Sequence, residues 1–490
     1  MTLFSGRQLK VLFVASEIAP LVKTGGLGDV AGSLPPALKR LGLEVRLVMP
    51  LYRQVDRAKH GLRPTGLTIR AAAGWREYAA AIWETRLDGC PVYLLDCPEL
   101  FDRDGLYGPA GGDYPDNPLR FTWFCRAAID LAKALDFAAD VVHAHDWQTA
   151  LVMAYLEAGG WDPGPLAGAA TVFTIHNLAY QGIYERSVFG LTGLPAWLDA
   201  PAGLEFWGNC SLLKAGLVCA RALTTVSPSY AQEITTPAGG HGLEGVLASR
   251  RAVLSGILNG VDYAVWSPEN DPFLPATYSA HQPAGKLVCR DVLLRNFGLE
   301  PAGPNTAVIG YVGRLAHQKG VDLFPPTLPY LLLDDVRVCI LGSGDHRYEQ
   351  ELKALAGRHP GRLGVRIAFS EELAHLITAG CDLFLMPSRY EPCGLNQIYS
   401  LRYGSAPVVR ATGGLKDTVE PLDPLADTGT GFLFEGFGVR ELLCAAREGL
   451  WAQARPKVWQ NLQARAMAKD FSWEQSAARY AELYARLRGF

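Results

Sequence analysis

The sequence predicts an α/β protein of two doubly wound domains, and three observations carry that expectation. Short runs of Val, Ile and Leu recur along the chain, each followed by Gly, Asn or Asp and then by a helical apolar pattern. That is how parallel strands buried by helices on both faces read. The runs fall into two series separated by residues 263–283, where Pro268, Pro272, Pro275 and Pro283 interrupt any apolar period and the composition fits a linker. Finally, 490 residues suffice for two or three domains, each with its own core.

In chain order, the first series predicts strands at 11–16, 45–49, 92–95, 141–143, 171–175 and 223–226. The second predicts strands at 307–312, 336–341, 383–386 and 406–409. After the first strand, Val30, Leu34, Leu38 and Leu41 recur at helical spacing. At the end of the chain Ala477, Tyr480, Leu483, Tyr484 and Leu487 mark an amphipathic helix that must dock on something, although the pattern does not say on which domain.

Hydrophobic residues make up 49% and charged residues 19% of the chain, so it is neither disordered nor collagen-like. Against 49 acidic side chains stand 46 basic ones, and the net charge of -3 supplies no global field to hold nucleic acid or an anionic membrane. Any anionic ligand has to be met by local charge. The 10 cysteines show neither Cys-x-x-Cys nor a zinc-ligand rhythm and are too sparse for a disulfide framework, which points to free thiols in a reducing compartment. Arg7 and Lys10 precede an apolar run, 11–15, too short for a signal-peptide core, and no apolar stretch approaches the roughly 18 residues of a membrane span. A soluble, cytoplasmic protein is expected, with no nucleic-acid or membrane partner.

Open α/β sheets bind ligands at the carboxyl ends of their strands, and the chemistry-bearing motifs fall there. Lys23-Thr-Gly-Gly-Leu-Gly-Asp-Val30 joins a strand to a helix, where glycine lets the backbone approach a ligand and a helix N-terminus attracts anions. A phosphate-contacting loop and a plain glycine turn both fit this segment. Gly26, Gly28 and Ala31 meet only the looser dinucleotide fingerprint, and Met49 and Pro50 stand where its ribose-binding acid belongs. No Gly-Lys-Ser/Thr occurs, so there is no P-loop.

In His143-Ala-His145-Asp146-Trp147 the two imidazoles share a strand face and Asp146 falls at the strand end, but a third metal ligand is missing. Thr174-Ile-His176-Asn177 ends the next strand in the same way; its polar groups suit sugar hydroxyls, and Asn177 equally suits a turn cap. Arg314 and Lys319, five residues apart after the first strand of the second series, can neutralise a diphosphate, the one as a planar fork and the other as a point charge. Glu391, in Ser388-Arg-Tyr-Glu-Pro-Cys393-Gly394-Leu395, can bind hydroxyls or stabilise positive charge on a reacting sugar carbon. Cys393 has no His partner to activate it and reads as packing. Thr412-Gly413-Gly414 repeats the glycine theme, as a phosphate cradle or an ordinary turn. Both domains thus open with a strand, a lysine–glycine loop and a helix, and two ligand loops facing across a cleft are expected.

With Ile257-Leu-Asn259-Gly-Val-Asp, Trp266-Ser-Pro and Asp417-Thr-Val added, these motifs in this order resemble the bacterial glycogen synthases and plant starch synthases, which transfer glucose from ADP-glucose. The resemblance runs almost from end to end. It implies a GT-B glycosyltransferase fold: an N-terminal Rossmann-like acceptor-side domain over 1–262 to which the helix at 473–490 returns, the linker 263–283, and a Rossmann-like nucleotide-sugar domain over 284–472. It implies retaining transfer to the non-reducing 4-hydroxyl of glycogen or a malto-oligosaccharide, with no metal and no cofactor. By the same resemblance Arg314 and Lys319 hold the donor diphosphate, helped by Lys23, Gly25 and Gly26. Asp146, His176, Asn259, Glu391, Cys393 and Gly394 surround the glucose, and Asp29, Phe369, Leu395, Thr412 and Gly413 complete the donor site. Glu391 by charge and His176 by its backbone carbonyl are implied to stabilise the transition state. Monomer and homo-oligomer are equally compatible.

The chain departs from the family pattern at three places. Phe369 stands where the bacterial enzymes commonly stack a tyrosine on adenine, Gly313 replaces a usual serine beside Arg314, and the helix over 285–296 has lost its lysine- and asparagine-rich character. Tyr399 occupies the place of a second glutamate found in the broader transferase group, as is typical of the ADP-glucose branch. Transfer from UDP-glucose to a small acceptor, glucan binding without turnover, and nicotinamide oxidoreduction are the competing readings. The presence of Lys23, Arg314, Lys319 and Glu391 disfavours the second, and the incomplete glycine fingerprint the third.

Overall fold

The computed structural model describes residues 8–109 and 112–489; Arg7 and the outermost ends of the expected first domain and final helix lie outside the described residues. The chain separates into two compact units, one running to Val226 and resuming over Ala231–Gly260 and from Trp473 onward, the other comprising Ser227–Tyr230 and Val261–Ser472.

Among the described residues the first unit is built on a nine-stranded sheet. Its strands are β1 (Lys10–Val14), β2 (Glu44–Pro50), β3 (Arg63–Ala73), β4 (Arg76–Leu87), β5 (Cys90–Asp96), β6 (Val141–His145), β7 (Ala170–Ile175), β8 (Ala222–Thr225) and β9 (Leu254–Gly256). Their spatial order is β9-β8-β7-β6-β1-β2-β5-β4-β3. In the centre Val11 pairs with Val45 on one side and Val141 on the other, and β1, β6 and β7 are buried nearly throughout. Helix α1 (Gly26–Arg40) follows β1 and buries Val30, Leu34 and Leu38. The antiparallel pair β3–β4 is not foreseen by the sequence reading, which expects parallel strands only. Its strands alternate exposed with buried positions and are rich in Ala and Arg, so they lack the continuous apolar run that marks a doubly covered strand.

The second unit holds six strands, β10 (Ala307–Val312), β11 (Val336–Gly342), β12 (Leu363–Ile367), β13 (Leu383–Met386), β14 (Ala406–Arg410) and β15 (Phe432–Phe434), all parallel in the order β12-β11-β10-β13-β14-β15. Alternate residues feed two cores: Ile309, Val338 and Leu383 enter one, while Val308, Cys339 and Phe384 enter the other. Both faces are apolar, which is why these strands read as runs rather than alternations.

Residues 263–283 form no helix or strand, yet the linker expected there is not a loose tether. It packs on helix α2 (Ala284–Phe297), helix α3 (Glu371–Gly380) and helix α4 (Asn396–Arg402), with Asp271 and Tyr278 buried. Asp271 accepts from the Tyr403 hydroxyl at 2.6 Å and meets His375 Nδ1 at 2.7 Å, and the Trp266 ring lies between His375 and Tyr399 at 3.6 and 3.8 Å. On α2 the buried Lys286 ammonium donates to the carbonyls of Ala379 and Tyr403 and to Ser405 Oγ at 2.8, 3.1 and 2.7 Å, and burial pulls its pKa down. Cations at helix C-termini are favourable, and this lysine sits at two of them.

The glycine loop Thr412-Gly413-Gly414 opens helix α5 (Gly413–Thr418), and the chain ends with helix α6 (Trp473–Arg488). Helix α6 packs on the first unit against α1 and β7. Tyr484 OH lies 2.7 Å from His143 Nδ1, Arg40 pairs with Glu474 at 2.8 Å, and Ser476 Oγ donates to the Leu258 carbonyl at 2.6 Å. No helix among the described residues is long and apolar enough to cross a membrane.

Asp271→Ala leaves His375 and Tyr403 buried without their acceptor, at a cost of about 3 kcal/mol. Urea unfolding followed by tryptophan fluorescence is expected to shift to lower denaturant. An unchanged midpoint would mean that the pocket refills without penalty.

Candidate active site

In each unit the chain leaves the central strand in one direction and later returns on its other side, so a crevice opens at the carboxyl edge between β1 and β6 and between β10 and β13. The candidate residues collect at these two places, each described within its own unit.

After β1, Lys23 pairs with Asp29 at 2.8 Å, both partly exposed. A solvated pair of this kind contributes little to stability, so a ligand can take over the ammonium cheaply. Gly28 is required here, since a Cβ on it would sit 2.5 Å from that of Lys23. The loop is shaped from beneath by Glu17, whose carboxylate accepts from the Thr24 amide, from Thr24 Oγ1 at 3.1 Å and from Tyr107 OH at 3.1 Å. Burial raises the Glu17 pKa, while the bonds from Thr24 and Tyr107 oppose the rise. Sequence reasoning overlooks both Glu17 and Tyr107: a lone glutamate after an apolar strand and a tyrosine some 90 residues on carry no shared pattern.

At the ends of β6 and β7 Asp146 holds a left-handed backbone (φ 55°) and accepts the His176 N–H at 2.7 Å. Burial pushes its carboxyl up to about 7, against the lowering effect of the His176 and Asn177 amides. His176 Nε2 lies 3.0 Å from His145 Nδ1, and His143 spends both ring nitrogens on Tyr484 OH and Thr174 Oγ1. Burial pulls His176 down to about 3, and His143 and His145 well below their ordinary value, so all three rings are neutral at physiological pH. Asn177 Oδ1 accepts from the Ala179 amide at 3.1 Å, so of the two roles open to it the side chain takes the cap. Asn259, three residues past β9, is buried with Oδ1 lacking a hydrogen-bond partner among the described residues. No group of three or more His, Cys, Asp or Glu among the described residues is placed to hold a metal.

In the second unit Lys319 Nζ meets Glu391 Oε2 at 2.5 Å, and Ser388 Oγ donates to the same oxygen at 3.0 Å. Lysine and glutamate come from the loops after β10 and β13, adjacent strands on either side of the crevice. Arg314 is exposed, with its carbonyl held by Tyr311 OH at 3.0 Å. A Cβ on Gly313 would lie 3.0 Å from that hydroxyl, so a side chain there would be tightly packed. Gly413 has φ 46°, and any Cβ there would strike the Glu391 carbonyl; the Gly414 amide donates to that carbonyl at 3.0 Å. The Glu391 and Thr412 loops can approach this closely only because glycine is there. Gln397 Nε2 donates to the carbonyls of Cys393 and Gly394, both at 3.0 Å, and so fixes the turn that carries Leu395. Cys393 is buried, and Phe369 presents its ring to solvent at 88% exposure beyond β12.

The structure therefore gathers Glu17, Lys23, Gly28 and Asp29; separately Asp146, His145 and His176; and separately Lys319, Ser388, Glu391 and Gly413. A family model described as the starch synthase catalytic domain matches residues 10–249, and one described as glycosyl transferases group 1 matches residues 299–448. The chain is 49% identical over 488 residues to a glycogen synthase of Anaeromyxobacter dehalogenans, covering 98% of this chain and 99% of the relative. It is 50% identical over 481 residues to a glycogen synthase of Myxococcus xanthus, with 97% and 99% covered. Among solved structures it is similar to the catalytic domain of starch synthase IV from Arabidopsis thaliana bound to ADP and acarbose, at 33% identity and a TM-score of 0.91 over 99% of this chain and all of the other. A sucrose-phosphate synthase from Thermosynechococcus elongatus, at 17% identity and a TM-score of 0.61, shares the fold.

Because the Asp146 carboxyl titrates near 7 when folded against 3.8 when unfolded, the folded state binds the extra proton between those values and stability declines as pH rises through that window. Asp146→Asn removes this slope while keeping an acceptor for the His176 amide. The stability of the parent relative to the variant, from urea unfolding at pH 5 and pH 8, is expected to be lower at pH 8; equal values would mean that the carboxylate is ionised in both states throughout.

Proposed function

The chain belongs to the glycogen and starch synthase family of glucosyltransferases, and on that premise we propose that it transfers glucose from ADP-glucose to the non-reducing 4-hydroxyl of an α-1,4-glucan with retention of configuration, in the cytoplasm. The observation that carries the reading is the contact of Lys319 with Glu391 beside the crevice of the second unit, a cation for the departing diphosphate next to an anion for the sugar. The starch synthase IV catalytic domain, bound to ADP and acarbose, supports an adenine nucleotide donor and a glucan acceptor.

As the bond from the anomeric carbon to the diphosphate lengthens, positive charge grows on the sugar and negative charge on the leaving group. Lys319 and Arg314 meet the second, assisted by Lys23 and the amides of Gly25 and Gly26, and lower the barrier by stabilising charge that exists only in the transition state. Glu391 answers the sugar cation through space, and the His176 carbonyl does so beside the anomeric carbon. Burial keeps the three imidazoles neutral, which avoids a like charge near a carbon that is itself becoming positive. Asp146 and Asn259 accept from glucose hydroxyls, while Phe369 covers the base and Asp29, Cys393, Gly394, Leu395, Thr412 and Gly413 complete the donor surface. No carboxylate is assigned as nucleophile; the leaving phosphate draws the proton from the acceptor hydroxyl on the face from which it departs. The reaction needs no metal.

Labelled glucose should enter glycogen from ADP-glucose, and not from UDP-glucose, with EDTA present. Preference for UDP-glucose would keep the mechanism and overturn the donor assignment, and no incorporation from either would overturn the reading. Lys319→Ala and Glu391→Ala are each expected to lower kcat by at least about two orders of magnitude with the fold intact. Near-normal turnover in either variant would remove that residue from the site.

A further inference from the structure

In the second unit the contact of Lys319 with Glu391 is flanked by a second set of contacts that the transfer chemistry does not use. Arg389, two residues before Glu391, and Asp322, three residues after Lys319, meet through Nη2 and Oδ2 at 2.5 Å. The guanidinium lies over the Phe437 ring, its central carbon 3.8 Å from the ring centre. The backbone joins the same two loops: the Arg389 amide donates to the Gln318 carbonyl at 2.8 Å, Gln318 Nε2 donates to the Tyr390 carbonyl at 3.4 Å, and Arg410 donates to the Arg389 carbonyl. Gly320 lies so close to the other loop that a Cβ on it would strike the Pro387 carbonyl. The loops after β10 and β13 are therefore fastened on both sides of the lysine. Nε of Arg389 and Oδ1 of Asp322 are buried without hydrogen-bond partners among the described residues, so one bond and the ring place the guanidinium rather than a two-bonded fork.

A donor diphosphate competes with Glu391 for the Lys319 ammonium. Were that ion pair the only tie between the loops, the ligand that needs both groups in place would itself loosen them. We propose that Arg389 is a positioning residue for the transfer: held by Asp322 and Phe437, it keeps Glu391 at its distance from Lys319 when the ammonium turns to the diphosphate. It acts on the donor only through those two residues. The inference rests on the proposed function, which is what sets the diphosphate against Lys319.

Arg389→Met keeps the apolar stem and removes the charge. It is expected to lower kcat for transfer from ADP-glucose at least about tenfold while KM for ADP-glucose moves less than about threefold, because the alignment is used in the transition state. Asp322→Asn should lower kcat in the same way, and Arg389→Lys, which returns a cation to the ring, should recover at least about half of the lost activity. In a Lys319→Ala background the methionine substitution should cost less than about twofold further, since the group it aligns is gone. A loss that multiplies in that background, a kcat near the parent's in Arg389→Met, or no recovery in Arg389→Lys would overturn the proposal. Acylation of Lys319 by an N-hydroxysuccinimide ester, followed by peptide mass spectrometry without donor or acceptor, reads the same alignment apart from turnover. Its rate is expected to rise at least about threefold in Arg389→Met and to return in Arg389→Lys; an unchanged rate would overturn the proposal as well. If the parent transfers no glucose while the labelling behaves as expected, the brace stands and the transfer reading falls.

Discussion

A parallel strand covered by helices on both faces admits a polar side chain only where it finds a buried partner, and its backbone groups are consumed by the ladder. In this protein that constraint applies to every central strand: β1, β6, β7, β10, β11, β13 and β14 are buried almost throughout. Chemistry is thereby driven to the carboxyl ends, where the chain leaves the sheet and amides and side chains are again available. The crevices beside β1 and β10 collect the accessible groups, while polar side chains on the strands, such as His143 and Thr174, are spent on one another.

The two polar clusters are built on opposite electrostatic principles. In the first unit burial dominates: the imidazoles of His143, His145 and His176 are held neutral and the Asp146 carboxyl is raised towards neutrality. In the second unit full charges are kept in contact, Lys319 against Glu391 with Ser388 satisfying the same oxygen. The proposed transfer would draw on both kinds of group, neutral hydrogen-bonding groups to hold hydroxyls and preorganised charge where charge develops.

Irregular chain is handled with equal economy. Residues 263–283 lack backbone ladders, so Asp271, Trp266 and Tyr278 secure them through side chains to α2, α3 and α4. Lys286 does the same for α2, its ammonium closing two helix ends.

Much was legible in the sequence because its cause is local. Apolar runs broken by glycine turns, and helix patterns after them, report burial on two faces directly, and the motifs at 23–30, 143–147, 174–177, 314–320, 388–395 and 412–418 lie at strand ends by their position alone. The hairpin β3–β4 was not legible, since an edge exposed on one side leaves only a weak alternation. Tertiary structure alone decided which distant groups meet: Glu17 beneath Thr24 with Tyr107, His143 against Tyr484 of the last helix, and Asp271 against His375 and Tyr403. Most of these contacts join residues tens to hundreds of positions apart, and no periodicity in a sequence records a distance through space.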